Sequence, residues 1–277
     1  MKTGKWGRNS ILAAYLLLLL GALVMVLPFV WTFLTSFKTQ AEAMAVPLII
    51  FPGKWNPFNY ISAWKTVPFP SFFFNTFVML LFRNLGSVLF SAMAGYAFAR
   101  MKFPGRNIFF ILILMQMMVP SQIFILPQYM IASRLGWTDT IKALVMPGII
   151  STFGTFLLRQ FFMSIPADIE EAAVLDGCNP LIIFVRVMLP LSRSGVISLA
   201  VFTSLFAWKD FMWPLIVNIS PRKMTLSSGL NLLRGQYTVN YPELMAGSMI
   251  AIIPMLVLFL IFQKQFITGI STTGSKQ

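Results

Sequence analysis

The segment SIPADIEEAAVLDGCNPLIIFVRVMLP, residues 164–190, is a polar insert between long apolar stretches. The whole chain has 8 acidic residues against 21 basic ones. Four of those acids, Asp168, Glu170, Glu171 and Asp176, fall close together in this insert. Such an ordered hydrophilic insert is more typical of a docking element than of a passive loop.

Local signals divide the insert into two short helices. Pro166 suits the first turn of a helix, because the N–H that proline lacks has no partner there. The acids that follow lie near the positive end of the helix dipole. Gly177 suits the position just after a helix, and Asn179 with Pro180 suits the start of the next one. The pattern predicts a bent pair of helices at the membrane surface; spacing alone leaves open a solvated amphipathic loop.

The composition is that of a polytopic membrane protein. Of 277 residues, 57% are hydrophobic and 10% are charged, and the mean hydropathy is +0.79; soluble domains carry about 25% charged residues. The net charge is +13, but the basic residues lie in short loops as topology signals, so we expect no nucleic-acid partner. With Cys178 as its one cysteine and no histidine, the chain lacks the usual zinc or haem ligands, and we expect no metal or cofactor.

Six apolar segments are long enough to cross a membrane, which takes about 20 residues. Their apolar runs are continuous rather than alternating, and a helix satisfies its own backbone in lipid. The sequence therefore predicts an all-α membrane protein with one transmembrane domain over residues 1–277. The predicted spans are residues 11–34, 72–99, 107–131, 141–163, 194–218 and 244–266.

Basic residues predict the orientation. Lys2, Lys5 and Arg8 precede the first apolar run, which is too long for a cleaved signal and is interpreted as a retained span. The loop RMKFPGR, residues 100–106, is also basic. Positively charged short loops stay in the cytoplasm. Six spans then place both termini and the acidic insert inside, and the loops 35–70 and 219–243 outside.

Small residues and prolines predict where helices meet and break. Ser87, Ser91, Gly95 and Ala99 recur every four residues on the second span, which permits close approach by another helix. Each proline within a span frees a backbone carbonyl that must find a partner or line a cavity. These prolines are Pro120, Pro127, Pro214 and Pro254.

Several polar side chains lie deep in the predicted spans, where charge is costly and usually faces a pathway or a partner. One hypothesis is that they line a polar translocation cavity, and the alternative is an internal Arg83–Asp210 pair that joins two helices. Trp208 and Trp213 flank two of these residues and are candidates for contact with cargo or for anchors at the membrane interface. The polar candidates are Arg83, Asn84, Gln116, Lys209 and Asp210.

The chain has no convincing nucleotide-binding motif. The tail GISTTGSK, residues 269–276, superficially echoes a phosphate-binding loop, but the order of its last residues is wrong and no strand precedes it. If ATP drives transport, another subunit must bind the ATP. We expect that subunit to act on the acidic insert.

The segment EAAVLDGCNPLIIFVRVMLP, residues 171–190, resembles the EAA motif of importer permeases in ATP-binding-cassette (ABC) systems. The motif is Glu-Ala-Ala, three residues, Gly, nine residues, an aliphatic residue, one residue and Leu-Pro; Val187 stands where Ile is usual. The similarity extends over most of the chain, towards the maltose-type permeases of carbohydrate uptake. The other matching segments are residues 94–106, 116–130, 135–140, 156–173, 208–216 and 266–276.

This resemblance implies a fold and a set of partners. The fold would be the type I importer permease with six transmembrane helices and a cytoplasmic coupling helix at residues 166–176, in a bacterial cytoplasmic membrane. The partners would be a second homologous permease, two nucleotide-binding ATPase subunits that hold ATP and Mg, and an extracytoplasmic solute-binding protein that delivers a carbohydrate. In such systems the tail can insert between the ATPase subunits.

The resemblance also implies roles for residues. Glu171 would anchor the ATPase subunit, Ala172 and Ala173 would give a close-packing surface, and Gly177 would make the turn. Glu170 and Asp176 would belong to the same coupling surface. Trp208 and Trp213 could stack on sugar rings. Lys209 departs from the Asn that is usual in this branch.

Three alternatives remain open. A permease of the same branch could carry glycerol-3-phosphate or another polyol phosphate, which a basic cavity would suit. The chain could act alone as an ion-coupled secondary transporter, without ATPase partners. An intramembrane enzyme would need paired acids or a histidine set, whereas Asp210 is the one embedded acid in the predicted spans and histidine is absent.

Overall fold

The computed structural model describes residues 8–235 and 238–274, with side chains for residues 12–235 and 238–263. Over these ranges the chain is helical and has no strand. This confirms the predicted all-α fold class. The α-helices are α1 Arg8–Ser36, α2 Gln40–Ala43, α3 Phe58–Thr66, α4 Phe69–Arg100, α5 Arg106–Met118, α6 Ile125–Arg134, α7 Ile141–Val145, α8 Thr152–Ser164, α9 Ala167–Leu175, α10 Pro180–Ile182, α11 Leu189–Leu191, α12 Arg193–Lys209, α13 Met212–Val217, α14 Leu226–Gly229 and α15 Tyr241–Gly274. Between α10 and α11 lies a π-helix, Ile183–Met188, and the 3₁₀ turns are Ser121–Phe124, Met146–Gly148, Pro221–Lys223 and Leu230–Arg234.

The chain divides into two compact units. The first comprises Met1–Val67 with Leu230–Ile253, and the second comprises Pro68–Gly229 with Pro254–Gln277.

In the first unit the side chain of Lys38 is fully buried. Its Nζ donates to the Ile49 carbonyl oxygen at 2.7 Å and lies 4.0 Å from the centre of the Trp31 ring. Burial lowers the pKa of Lys38, and the nearby charge of Glu42 only partly offsets this.

Three described helices are long and apolar enough to cross a membrane unaided: Leu12–Ser36, Phe69–Arg100 and Tyr241–Gln263. Three further spans are formed if each of three bent helix pairs is counted as one. The pairs are Arg106–Met118 with Ser121–Arg134, bent by 96°, Ile141–Gly148 with Thr152–Ser164, bent by 41°, and Pro180–Leu191 with Arg193–Lys209, bent by 76°. The total then reaches the six that the sequence predicts.

The predicted fifth span, residues 194–218, is not one helix. Helix α12 ends at Lys209, Asp210 is extended (φ −63°, ψ 114°), and α13 is a separate short helix. Two features coincide with the break: in a continuous helix the Pro214 ring would clash with the Asp210 carbonyl group, and the Asp210 carboxylate pairs with Arg83 on α4, as described below. The helical partner of α12 across a bend is instead the preceding segment, Pro180–Leu191.

Pro120 breaks the predicted third span. Val119, the residue before it, is extended (φ −85°, ψ 126°), as steric contact with the proline ring requires. Helix α5 therefore stops at Met118, and the chain turns by 96°. Pro127 falls in the first turn of α6, where its missing N–H breaks no helical hydrogen bond. The two prolines thus act differently, although the sequence signal is the same.

The small-residue ridge of α4 makes the close contacts that its spacing predicts. The hydroxyls of Ser87 and Thr203 lie 3.3 Å apart, which brings α4 against α12. The Ser91 hydroxyl donates to the Ser151 carbonyl oxygen at 3.3 Å, next to the start of α8. A Cβ added at Gly95 would lie 2.9 Å from the backbone nitrogen of Arg159. At this contact α8 approaches the backbone of α4 directly.

We expect Gly95→Ala to destabilise the fold by about 1–3 kcal/mol, the usual range for overpacking. The added methyl group meets backbone in α8, which cannot rotate away as a side chain could. The matched control is Gly21→Ala on α1, where, apart from the backbone of its own helix, no described atom lies within 4 Å of the added Cβ. Thermal unfolding of the detergent-solubilised chain measures both. Equal melting temperatures for the two variants would show that α4 and α8 do not touch at Gly95.

Candidate functional site

A cavity of about 1030 Å³ lies in the second unit, where several helices are interrupted. The end of α5, the two 3₁₀ turns that follow α5 and α7, and the break between α12 and α13 all contribute to its wall. Interrupted helices expose backbone and polar side chains that a continuous helix would cover. The lining residues are Arg83, Gln116, Met117, Val119, Pro120, Ser121, Gln122, Phe124, Ile125, Gln128, Pro147, Gly148, Thr152, Phe153, Phe206, Lys209, Asp210, Phe211, Met212 and Trp213.

Arg83 and Asp210 form an ion pair in the cavity wall. Nη1 of Arg83 lies 2.8 Å from Oδ2 of Asp210, and Nε donates to the Leu144 carbonyl oxygen at 2.8 Å. The Arg83 side chain is 9% exposed and that of Asp210 is 24% exposed. A Cβ added at Gly148 would lie 2.5 Å from Cδ of Arg83, so a glycine is needed where the arginine passes. The two sequence hypotheses are therefore compatible, because the internal pair itself lines the cavity.

Lys209 is the second cation of the cavity wall and has a different environment. Its Nζ lies 4.9 Å from the centre of the Phe206 ring, a cation–π contact. Within the part of the chain whose side chains are described, no carboxylate lies at salt-bridge distance from it. The cavity therefore carries one positive charge that is not neutralised by this part of the chain.

Two of the predicted pathway residues do not line the cavity. Asn84 turns towards α12, and its amide nitrogen donates to the Ser204 hydroxyl and the Leu80 carbonyl oxygen, each at 3.0 Å. Trp208 is half-buried and lies outside the cavity lining. Asn84 was predicted from its depth in the second span and Trp208 from its position beside Lys209, and neither signal reveals which face of a helix meets a cavity.

Trp213 reaches the cavity edge but is mainly a core residue. It is 6% exposed, and its indole Nε1 donates to the Ala143 carbonyl oxygen at 2.8 Å. Met79, Leu144 and Val217 belong to the same buried cluster. Stacking of cargo on the part of this ring that reaches the cavity stays a prediction. Its observed role is to hold α13 against α7.

The carboxylate of Asp139, which lies outside the predicted spans, connects two segments of the second unit. The carboxylate of Asp139 accepts hydrogen bonds from the backbone N–H groups of Ile219 and Ser220, at 3.1 and 3.0 Å, and from the Ser220 hydroxyl. Partial burial alone would raise the pKa of Asp139, but these hydrogen bonds outweigh it and lower the pKa. They tie the segment before α7 to the segment after α13.

Sequence reasoning missed four polar cavity residues, Ser121, Gln122, Gln128 and Thr152. For Ser121, Gln122 and Gln128 the sequence does carry a signal. They follow Pro120 in an otherwise apolar stretch, and a proline within a span frees groups that tend to line cavities. Thr152 carries no comparable signal, because it reaches the wall through the bend between α7 and α8.

The acidic insert has the predicted turn at Gly177 and the predicted cap at Asn179, but Pro166 lies at the N-cap of α9 and not in its first turn, and Ile183–Met188 form a π-helix that the sequence does not predict. Helix α9 covers Ala167–Leu175 and ends in a Schellman motif: the Cys178 N–H bonds the Ala173 carbonyl oxygen and the Gly177 N–H bonds that of Val174, both at 3.0 Å. Gly177 has the positive φ, +78°, that this ending requires. The Asn179 side chain caps the next helix by accepting from the Ile182 N–H at 2.9 Å.

The six predicted coupling residues face in different directions. Glu171, Ala172, Asp176 and Gly177 are exposed. Ala173 is 8% exposed and belongs to a core cluster of the second unit. The expectation that Ala172 and Ala173 form one docking surface is therefore corrected: in this conformation Ala173 packs inside its own chain. Glu170 also turns inwards, to Tyr96 and Arg100.

The parts of the chain with described side chains contain no group of three or more His, Cys, Asp or Glu residues that could hold a metal ion. The tail segment 269–276, which superficially echoes a phosphate-binding loop, lies outside the described side chains. Its predicted insertion between ATPase subunits stays a prediction.

Known transport proteins resemble this chain over nearly its whole length. It is 35% identical over 269 residues to the arabinooligosaccharides transport system permease protein of Bacillus subtilis (strain 168), which covers 96% of this chain and 95% of that protein. It is 29% identical over 265 residues to the sn-glycerol-3-phosphate transport system permease protein of Pectobacterium atrosepticum, covering 93% and 94%.

The fold is also that of a solved transporter chain. The crystal structure of a bacterial ABC transporter involved in the import of the acidic polysaccharide alginate contains a chain that matches with a TM-score of 0.79 and 22% identity, covering 95% of this chain and 100% of that one. Residues 87–267 match the family described as binding-protein-dependent transport system inner membrane component, and this stretch includes the cavity wall from Gln116 to Trp213 and the whole acidic insert. The chain belongs to that family and is an inner-membrane permease subunit of an ABC importer.

Proposed function

We propose that this permease imports sugars or oligosaccharides, and that its cavity forms one half of the translocation pathway. The observation that carries the proposal is the polar cavity at the helix breaks. Gln116, Gln122 and Gln128 offer amide donors and acceptors there, and Phe124, Phe153 and Phe206 offer apolar surface. Amide groups beside aromatic rings suit the hydroxyl groups and the apolar faces of a sugar. The similarity to the arabinooligosaccharide permease supports the same class of cargo.

In the proposed assembly, partner subunits hydrolyse ATP and deliver the cargo. In this family ATP is hydrolysed by partner subunits, and a solute-binding protein delivers the cargo. We infer two ATPase subunits that hold ATP and Mg, and a second, homologous permease that closes the other half of the pathway. Because positively charged loops stay in the cytoplasm, both termini and α9 lie on the cytoplasmic side in this proposal.

The exposed face of α9 is the proposed contact with an ATPase subunit. Glu171 and Ala172 are both exposed on α9, so that a carboxylate is available for a directed hydrogen bond and a small residue permits close approach. A short helix fixed at both ends can transmit rigid-body motion, because packed elements switch between discrete arrangements rather than bend.

Reconstitution tests the proposed function. The chain is inserted into liposomes with its partner permease, ATPase and solute-binding protein, and ATP-driven uptake of a labelled arabino-oligosaccharide is measured with and without vanadate. We expect uptake that requires ATP and is blocked by vanadate. Uptake that is driven by an ion gradient and resists vanadate would instead support a secondary transporter that acts alone.

A second candidate cargo is an anionic polyol such as glycerol-3-phosphate. The observation in its favour is Lys209, whose charge is not neutralised by the described part of this chain. The similarity to glycerol-3-phosphate permeases points the same way.

Replacing Lys209 by Asn separates the two cargo classes. If the cargo is a neutral sugar, we expect Lys209→Asn to change the KM for uptake by less than about threefold, because hydroxyl groups bind an amide as well as an ammonium group. If the cargo is an anion, losing a charged hydrogen bond worth about 1.5–3 kcal/mol raises KM by more than about tenfold. Concentration-dependent uptake of both solutes in the same liposomes measures this. A large rise in KM for the neutral sugar would contradict the carbohydrate proposal as made here.

A further inference from the structure

We propose that Glu170 is a positioning residue that joins the coupling helix α9 to the end of α4, so that α4 carries the motion of the ATPase subunits to the cavity. We call Tyr96, Arg100 and Glu170 the Glu170 clasp. The inference rests on the proposed docking of α9 to an ATPase subunit, and it gives Glu170 a role different from that of Glu171.

Two residues of α4, Tyr96 and Arg100, contact the two carboxylate oxygens of Glu170. The Tyr96 hydroxyl donates to Oε1 of Glu170 at 2.7 Å. Nε of Arg100 lies 3.5 Å from Oε2, an ion pair without a hydrogen bond. Tyr96 and Arg100 are four residues apart and therefore lie on the same face of α4. The Arg100 and Glu170 side chains are only 13% and 22% exposed, so solvent screens their attraction less than on an open surface.

The same arginine fixes the end of a third helix. Nη2 of Arg100 donates to the Phe162 carbonyl oxygen at 2.7 Å and also to that of Ile165, at the C-terminus of α8. A cation at this position is favourable because the last carbonyl groups of a helix have no partners within it. Arg100 therefore joins α4 to α8, and through Glu170 also to α9.

Apolar packing makes the junction stiff. The Tyr96 ring lies 5.7 Å from the Phe162 ring and 5.2 Å from the Phe184 ring, between centroids. Ala173, one turn after Glu170 on α9, is buried in the same cluster. One face of α9 is thus held by α4, α8 and the π-helix, while Glu171 on the next position stays exposed. A force applied to the exposed face is passed to the clasp.

Helix α4 connects the clasp to the cavity without interruption. It is one helix from Phe69 to Arg100. Tyr96 and Arg83 are thirteen positions apart, about 20 Å along the axis at 1.5 Å per residue. Arg83 lines the cavity and is held by Asp210. A movement of α9 that displaces the clasp therefore displaces the charged pair in the cavity wall.

The test removes single polar groups of the clasp and leaves its packing in place. Tyr96→Phe keeps the ring and loses the hydroxyl; Glu170→Gln keeps the shape and loses the charge. The complete importer is reconstituted with each variant and with the double variant. Solute taken up per ATP hydrolysed, ATPase subunit retained by the purified permease, and melting temperature are measured. Tyr129→Phe on α6, outside both the clasp and the cavity lining, is the matched control.

We expect both single variants to retain the ATPase subunit and to hydrolyse ATP, with three- to tenfold less solute moved per ATP. The double variant should lose more than either single variant, because the two changes remove different interactions: Tyr96→Phe removes the hydrogen bond to Oε1, and Glu170→Gln removes the charge that pairs with Arg100. Tyr129→Phe should keep the normal ratio.

Two results would overturn the proposal. If Glu170→Gln releases the ATPase subunit while Tyr96→Phe has no effect, Glu170 belongs to the docking surface itself. If both variants only lower the melting temperature and the ratio of solute to ATP is normal, the clasp is purely structural. Failure of α9 to dock at all is a separate outcome, which a Glu171→Lys variant with normal uptake would reveal.

Discussion

Glu171→Lys is expected to abolish ATP-coupled uptake while the permease still inserts into the membrane. Glu171 is exposed on α9, and no described side chain of its own chain holds it, whereas the neighbouring Glu170 is held by Tyr96 and Arg100. The substitution should therefore leave the fold of the second unit unchanged. At an interface with an ATPase subunit it replaces an acceptor by a cation, and a wrong charge in a contact costs several kcal/mol. About 3 kcal/mol corresponds to more than a 100-fold loss of affinity.

The measurement has three parts: the amount of inserted permease, the ATPase subunit retained on purification, and uptake in reconstituted liposomes. Glu171→Gln is the matched control, since it keeps a hydrogen-bond acceptor of the same size at the same exposed position and removes only the charge. It should retain far more of the uptake than Glu171→Lys, because it introduces no cation at the interface. If Glu171→Lys supports uptake at the normal rate, α9 does not bind the ATPase subunit through this residue and the coupling proposal fails.

The structure of the acidic insert could be predicted from the sequence because it depends on local chemistry. Glycine at a positive φ and asparagine at the next N-cap act on neighbouring backbone groups and lie where expected, whereas Pro166 lies at the N-cap of α9, one residue before its predicted place in the first turn. The number of spans can also be predicted from local sequence, because it depends on the length of the apolar runs. Resemblance to a family added the partners, which no residue of this chain specifies.

The sequence does not predict which side chains point into the core and which are exposed. Ala172 and Ala173 are chemically identical, and only the packing of α9 against α4 and the π-helix decides that Ala173 is the buried one. The sequence likewise does not indicate that the indole N–H of Trp213 bonds a backbone carbonyl of α7 while the ring reaches the cavity. The Asp210 carboxylate, at the end of α12, pairs with an arginine 127 positions away, and nothing in the local sequence indicates that contact.

Asp210→Ala is expected to destabilise the second unit by about 3 kcal/mol, at the low end of the range for breaking a buried ion pair because Asp210 keeps some exposure. The loss arises from Arg83, which stays buried under Leu144 and Gly148 with its charge unpaired. Less folded permease should be recovered from membranes, and its melting temperature should fall. Uptake per folded molecule should fall as well, because the extended residue that ends α12 would no longer be held in the cavity wall.

The double variant Arg83→Leu with Asp210→Leu separates charge from packing. Replacing both members of a buried pair by apolar residues is often neutral or stabilising, since no charge is left unpaired. We therefore expect the double variant to recover most of the stability that Asp210→Ala loses. If it also recovers uptake, the pair only joins α4 to the end of α12. If stability returns and uptake does not, the charges themselves act on the cargo or on the opening of the pathway. A single Asp210→Ala variant with normal stability and normal uptake would contradict both roles, because a buried arginine at the cavity wall would then need no counter-charge.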